Sequence, residues 1–370
     1  METKKEKAEN RAEQKVGQAQ KLLSLKHRLS APVPLHFLLN WQGAEIWVQR
    51  DDLLPFSFGG NKVRFVLETL QEMADRGCDV LVSYGSPASN LNRAAAHMAA
   101  AAGFGCTVVY KFETVPGERA ETARFNERMV RESGAALVSC TRETVGRTIA
   151  EVLQKLTEEG HRPYYIYGDE TGHGGEKVLL RAYRRVYEQL SDCTHIFLPC
   201  GTGMTQSGLL LGQLDALARR KSGASETEKE EKKENTSLPP RTVETPADSM
   251  PFIHGISVAR TETQCRLAVC EALQCDLGRE LSEAEAARIK VTDSYLCGGY
   301  GQADTELQKL CEALMRQHGL PLDLTYTGKA FYGMLCEIER KKLSGRVIFL
   351  HTGGVPGFFD RMQSSTQASE

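Results

Sequence analysis

The chain has 370 residues, 41% of them apolar and 25% charged, with a formal net charge of -2. That length is enough for two domains with real cores. The near-neutral charge argues against a nucleic-acid binder, which usually carries a basic excess. No apolar run reaches the roughly 18 residues needed to span a bilayer. The N-terminal stretch METKKEKAENRAEQK lacks the apolar core of a secretory signal, so the expected location is the cytoplasm. Eleven cysteines form no C-x-x-C pair, and nine histidines form no H-E-x-x-H pair. Free thiols are expected, and no metal site.

Residues 1–30 read as a charged helix or loose tail, closed by the turn Ala31-Pro32-Val33-Pro34. Short apolar runs then alternate with helical patterns. Strand-like runs fall at Asp79–Tyr84, Cys106–Lys111, Ala136–Ser139, Tyr164–Tyr167, His195–Cys200, Ile253–Ala259 and Val347–His351. Helical patterns cover Asn90–Ala102, Glu118–Glu132 and Thr144–Glu159. This alternation predicts an α/β fold with parallel sheets covered on both faces. The segment Lys221–Met250 is charged, Pro-containing and nearly free of large apolar residues. It reads as a disordered surface insertion, or else as a docking element.

Four places carry candidate chemistry. In Phe58-Gly59-Gly60-Asn61-Lys62 two glycines allow a sharp turn into a helix. A lysine at that helix start has its neutral amine favoured, as imine chemistry requires. A surface lysine after a glycine turn is the plainer alternative. In Gly85-Ser86-Pro87-Ala88-Ser89-Asn90, Ser89 and Asn90 open an Ala-rich helix. They could be simple N-caps, or they could face an anionic ligand at the helix N-terminus. Gly201-Thr202-Gly203-Met204-Thr205-Gln206-Ser207-Gly208 follows a strand and precedes an apolar helix. Its backbone N–H groups and hydroxyls suit a phosphate. It lacks the G-K-[ST] ending of a Walker loop, and the third glycine of a dinucleotide fingerprint is absent. The fourth place is near the end: Gly298-Gly299-Tyr300-Gly301, then Tyr326-Thr327-Gly328-Lys329-Ala330, then His351-Thr352-Gly353-Gly354.

Taken in order, these motifs resemble the D-cysteine desulfhydrase / 1-aminocyclopropane-1-carboxylate (ACC) deaminase family. That family belongs to the fold-type II, tryptophan-synthase-β-like enzymes that use pyridoxal 5'-phosphate (PLP). The resemblance runs from about Leu35 to Phe359 around the 221–250 insertion. It implies two three-layer αβα domains with mostly parallel sheets and the cofactor in the cleft between them. The large PLP-binding domain would take residues 31–55 and 165–370, and the small domain 56–164. A homodimer acting on a small amino acid is implied as well.

The resemblance also implies roles. Lys62 would be the Schiff-base lysine and would move the substrate α-proton. Ser89 would contact the substrate carboxylate or assist proton transfer. Tyr300 would stand near the reacting carbon. Asn90 would bond the ring O3' oxygen, and Gly201, Thr202, Gly203, Met204 and Thr205 would hold the phosphate. Thr352 would face the pyridine nitrogen with a hydroxyl, which keeps that nitrogen unprotonated and favours loss of a β-substituent. Gly299 and Thr352 match the desulfhydrase branch; ACC deaminases have Glu and Leu there. The expected activity is therefore α,β-elimination from D-cysteine, giving pyruvate, ammonia and sulfide. The alternatives are β-replacement, deamination of another small amino acid, or an inactive ligand-binding member. Four departures fall on the substrate side: Ala88 in place of a glutamine, Leu91-Asn92 in place of a more polar pair, Gly168–His173 in place of a Gly-Gly-Ser-Asn-like stretch, and no clear counterpart around Leu273–Leu277 of the family's second active-site tyrosine.

Overall fold

A computed structural model describes residues 4–112, 124–168, 173–222 and 250–360. Most of the 221–250 insertion and of the Gly168–His173 stretch lies outside the described residues. The chain divides into two compact units. The first is built on Pro55–Val178 together with the N-terminal segment ending at Pro32; the second joins Val33–Leu54 to Leu179–Arg361.

The first unit opens with helix α1 (Lys4–Leu29), which packs on α2 (Asn61–Arg76) and α3 (Asn90–Ala102) through Leu22, Leu25 and Leu29. Its sheet contains β3 (Val80–Gly85), β4 (Gly105–Lys111), β5 (Ala136–Cys140) and β6 (Pro163–Tyr165), all parallel, in the order β5-β4-β3-β6. Side chains alternate across this sheet. Val82, Val109 and Cys140 meet Val152 of α5 (Val145–Glu158) on one face. Val108 and Tyr110 meet Ala96 of α3 and Val130 of α4 (Phe125–Glu132) on the other. The sheet is thus the middle of three layers. Helices α2 and α3 both stop at left-handed glycines, Gly77 and Gly103, where a Cβ would be strained.

Helix α6 (His173–Leu190) carries the chain into the second unit. The sheet there has six strands in the order β1-β2-β10-β7-β8-β9. These are β1 (Leu35–Trp41), β2 (Ala44–Arg50), β7 (His195–Cys200), β8 (Phe252–Ser257), β9 (Lys290–Thr292) and β10 (Gly345–His351). Only β1 is antiparallel, to β2. Every residue of β10 is buried. Val347 and Phe349 pack with Phe331 and Met334 of α11 (Thr327–Lys341) and with Cys311 and Leu314 of α10 (Thr305–His318). Ile348 and Leu350 are buried on the opposite face. Burying each such side chain contributes about 1.5–3 kcal/mol. Helices α7 (Met204–Lys221) and α8 (Glu262–Leu277) pack together, and α7 also lies on β8. The short α9 (Glu283–Ala286) leads into β9.

The fold is the α/β class with mostly parallel sheets that the strand–helix alternation predicts. The β1–β2 hairpin and the three-residue β9 are not among the seven strands read from the sequence. All eleven cysteines are free, five buried and six half-buried. Among the described residues no helix is long and apolar enough to cross a membrane.

Candidate active site

In the first unit the approach to Lys62 is conformationally unusual. Ser57, Phe58, Gly59 and Gly60 have φ of 45°, 58°, 56° and 93°. Four consecutive residues in the left-handed region make a tight turn, and two of them are not glycine. The turn is held from α3. Arg93 donates from Nη1 to Ser57 Oγ (3.2 Å) and from Nη2 to the Gly59 carbonyl (3.4 Å). Ser57 in turn donates to Nδ1 of His97 (2.9 Å), whose Nε2 donates to the Met129 carbonyl (2.9 Å). The Met129 carbonyl can only accept, so Nε2 carries a hydrogen, and in that tautomer Nδ1 accepts from Ser57.

Lys62 is the second residue of α2, and its ammonium lies 4.9 Å from the Phe65 ring centroid. Burial lowers its pKa to about 8, from an ordinary 10.5. No hydrogen bond engages it among the described residues. A half-buried lysine with no hydrogen-bond partner among the described residues, and easily deprotonated, is a competent nucleophile.

Ser89 is the N-cap of α3: its Oγ accepts from the Asn92 N–H at 3.2 Å. The capping alternative is therefore realised, and the hydroxyl proton remains available for donation. Asn90 accepts at Oδ1 from Asn126 Nδ2 (3.1 Å), which also donates to the Ala88 carbonyl (2.8 Å). This leaves Nδ2 of Asn90 as a donor. Asn126 was not a candidate from sequence; its place on α4 carries no motif.

In the second unit the glycine-rich loop joins β7 to α7. Gly203 has φ 88°, and a Cβ there would meet Val269 Cγ2 of α8 at 2.8 Å. Helix α7 begins without a side-chain N-cap, so its first N–H groups face outward from a bare helix end. Ser207 donates back to the Gly203 carbonyl (3.0 Å). Close packing is achieved further along. Cβ atoms at Gly208 and Gly212 would stand 2.7 and 2.4 Å from carbonyl oxygens of α6.

The terminal motifs converge on the same end of this sheet. Tyr326 packs beside Gly201, its Cε1 3.8 Å from where a Gly201 Cβ would lie. Its hydroxyl meets that of Tyr300 at 2.6 Å. The Tyr300 loop hangs on Lys329, a buried lysine whose ammonium donates to the carbonyls of Leu296 (2.7 Å) and Gly299. Asp323 accepts from the N–H groups of Thr325, Tyr326 and Thr327 and from the Thr327 hydroxyl. A Cβ at Gly354 would collide with Asp323 Oδ2, at 2.2 Å. The loop after β10 therefore needs glycine there to approach the start of α11. Thr352 is 7% exposed, and its hydroxyl has no partner among the described residues. Next to it, His351 takes its Nδ1 hydrogen bond from the Gly353 N–H (3.3 Å), and its Nε2 donates to the Pro321 carbonyl (2.9 Å).

So one unit holds Lys62, Ser89 and Asn90, and the other holds Gly201–Thr205, Tyr300 and Thr352. Tyr326 is the functional candidate that sequence reasoning passed over: the Tyr-Thr-Gly-Lys-Ala segment was visible, but its hydroxyl contact with Tyr300 was not.

Parallel α/β sheets, a half-buried, readily deprotonated lysine at a helix start and a glycine-rich helix N-terminus without a side-chain cap are the features of a cofactor-dependent α/β enzyme. Residues 28–353 match the pyridoxal-phosphate dependent enzyme family, and the chain belongs to it. An ACC deaminase homologue is 24% identical, with 93% of this chain and 98% of that chain covered and a TM-score of 0.68. O-ureido-L-serine synthase is 14% identical, covering 90% and 92%, with a TM-score of 0.57. A hydrogen sulfide-producing enzyme from Fusobacterium nucleatum is 14% identical, covering 88% and 96%, with a TM-score of 0.53. At these identities the likeness is one of fold. Members of the family bind pyridoxal phosphate, and the residues present suit it. The uncapped α7 end behind left-handed Gly203 offers N–H donors to a phosphate, and Lys62 offers an amine.

Proposed function

We propose that this enzyme removes a β-substituent from a small amino acid by α,β-elimination, with D-cysteine as the leading substrate. The observation that carries the reading is Thr352: a buried residue whose hydroxyl has no partner among the described residues, directly after the fully buried strand β10. A hydroxyl at the pyridine nitrogen donates a hydrogen bond without giving up its proton, whereas a carboxylate there would favour a pyridinium. The three structural neighbours are named for different chemistries, so the fold alone leaves the reaction open and the residues must decide it.

Bound pyridoxal phosphate supplies the electron sink for the α-carbon. In this reading Lys62 holds the cofactor and, as a neutral amine, takes up the substrate α-proton. Asn90, with its Nδ2 left as a donor, would hold the cofactor ring, and the N–H groups from Gly201 to Thr205 would hold its phosphate. Ser89 keeps its oxygen on the Asn92 N–H and turns its proton to the substrate carboxylate. The Tyr300–Tyr326 pair stands as a proton relay at the departing β-substituent, since either hydroxyl can donate to the other.

The test is an amino-acid panel with purified enzyme, including both enantiomers of cysteine, following pyruvate and sulfide together. Stoichiometric release of both from D-cysteine supports the reading. Turnover that yields a substituted amino acid and no pyruvate would replace it with β-replacement.

A further inference from the structure

The second unit contains a cavity that shares no residue with the loops described above. It lies along the α11 face of the sheet, where the edge strand β9 is only three residues long beside the six-residue β8. Among the described residues, β9 pairs with His254–Ile256 of β8 and leaves Phe252, Ile253 and Ser257 without a partner on that edge. The cavity is about 520 Å³, floored by Phe197, His254 and Ile256 and walled by Tyr295 and the end of α11. That volume lies within the ordinary range for metabolite sites.

Its charges are unbalanced. Four cations line it, Arg266, Lys290, Arg340 and Lys341, against two carboxylates, Glu262 and Glu337. Glu337 is buried and already serves Arg340 (2.8 Å), Lys341 (2.5 Å) and the Tyr295 hydroxyl (2.8 Å). Arg266 gives its guanidinium to the backbone carbonyls of Ile289 and Ala286, not to an acid. Lys290 has no carboxylate partner among the described residues. Cations held over an apolar floor attract anions more strongly than the same cations on an open surface, because the low-dielectric wall focuses their field.

A neutral donor–acceptor group completes the lining. His254 stacks on Phe197 (4.4 Å, 9°) and shares a hydrogen between its Nε2 and His195 Nδ1 (3.0 Å). Its Nδ1 has no partner among the described residues. Burial pushes the His254 pKa down to about 3 and that of His195 down to about 4, so both rings are neutral at physiological pH. The positive charge of the cavity therefore comes from lysine and arginine alone.

We propose that this cavity is a second ligand site, taking a small polyanion of the phosphate-ester or polycarboxylate class. Lys290 and Arg266 supply uncompensated charge, and Nδ1 of His254 supplies a hydrogen bond at the floor.

The test is calorimetric titration of the holoenzyme with pyrophosphate, AMP and citrate separately, at constant ionic strength. Keeping the cofactor bound leaves the α7 phosphate loop filled. At least one anion should bind saturably at one site per chain. Preference for pyrophosphate and AMP identifies a phosphate ligand; preference for citrate identifies a polycarboxylate. Lys290→Glu should weaken binding about tenfold or more, whereas the same charge change at the exposed Lys309 of α10 should not. The structure uses the backbone of Lys290, in the β8–β9 pairing and through its carbonyl to Gln206 Nε2 (2.8 Å), and not its side chain, so the fold survives the substitution. Lys290→Gln checks this with a smaller, same-direction effect. No saturable binding of any of the three, equal weakening by Lys290→Glu and Lys309→Glu, or unchanged binding in Lys290→Glu would each overturn the proposal. None of these readouts depends on the substrate proposed above.

Discussion

Tyr300 and Tyr326 meet hydroxyl to hydroxyl at 2.6 Å, with their rings nearly perpendicular at 79°. They come from a glycine-rich loop and from the start of a helix, 26 residues apart. If they relay a proton as a unit, removing either hydroxyl costs as much as removing both. Tyr300→Phe and Tyr326→Phe are each expected to lower kcat on the order of a hundredfold, with the double variant close to the singles. The measurement is a double-mutant cycle on pyruvate release. Losses that simply multiply would show that the two hydroxyls act separately.

Lys62 should account for the visible absorption of the holoenzyme. Lys62→Ala is expected to lose that band and all turnover while still binding the cofactor's phosphate end. A normal band with activity retained would move the role to another lysine. Lys329 is a poor rival, since its ammonium is already bonded to two carbonyls.

The depressed pKa of Lys62 also makes a prediction about stability. In the cofactor-free protein it titrates near 8, against 10.5 unfolded. Between those values the unfolded chain binds the extra proton, so wild-type stability rises with pH there. Below pH 8 the buried ammonium is a cost to the fold. Lys62→Met should therefore stabilise the apo-protein at pH 7 by no more than about 3 kcal/mol. That gain should fade as pH rises through the interval and vanish above 10.5. Denaturant unfolding of both proteins at several pH values measures the difference. A gain independent of pH would mean the lysine is not desolvated.

Gly203 is where the phosphate loop can be broken with one methyl group. Alanine there combines φ 88° with a 2.8 Å approach to Val269. Cofactor affinity and stability should both fall, the strain alone costing about 1–3 kcal/mol. Val269→Ala in the same chain should recover the steric part and leave the conformational part. Titration of apo-protein with cofactor and thermal unfolding separate the two. An unaffected Gly203→Ala would show that the loop does not hold the phosphate in this geometry.

Thr352 tests the reaction assignment. Thr352→Ser keeps the donor and should stay within a few-fold of wild type. Thr352→Glu should slow pyruvate release about tenfold, roughly 1.4 kcal/mol of barrier, while α-proton exchange with deuterated solvent overtakes elimination. The ratio of the two rates is read by NMR on the recovered substrate and product. A ratio unchanged in Thr352→Glu, with cofactor bound, would place Thr352 away from the ring nitrogen.

Much of this protein was legible from local sequence. Seven strands were readable because each is a short apolar run between turn-forming residues, and Asn90–Ala102 because an Ala-rich stretch lies between Ser89 and Gly103. The glycine-rich turns were equally visible, since a left-handed backbone demands glycine whatever surrounds it. Other features depended on contacts between residues far apart in the chain. Leu35–Arg50 forms a hairpin whose first strand is only partly buried, so its apolar pattern is weak. The three residues of β9 are too few for any period to show. Glycines 208 and 354 look like flexible points in the sequence; in the fold they mark close approach to the α6 backbone and to Asp323. The bonds from Arg93 to the turn before Lys62, from Asn126 to Asn90, and between Tyr326 and Tyr300 join residues 26 to 36 positions apart. Sequence specifies which donors and acceptors exist. Tertiary packing chooses their partners, because a buried polar group must find one and only the folded chain determines which is within reach.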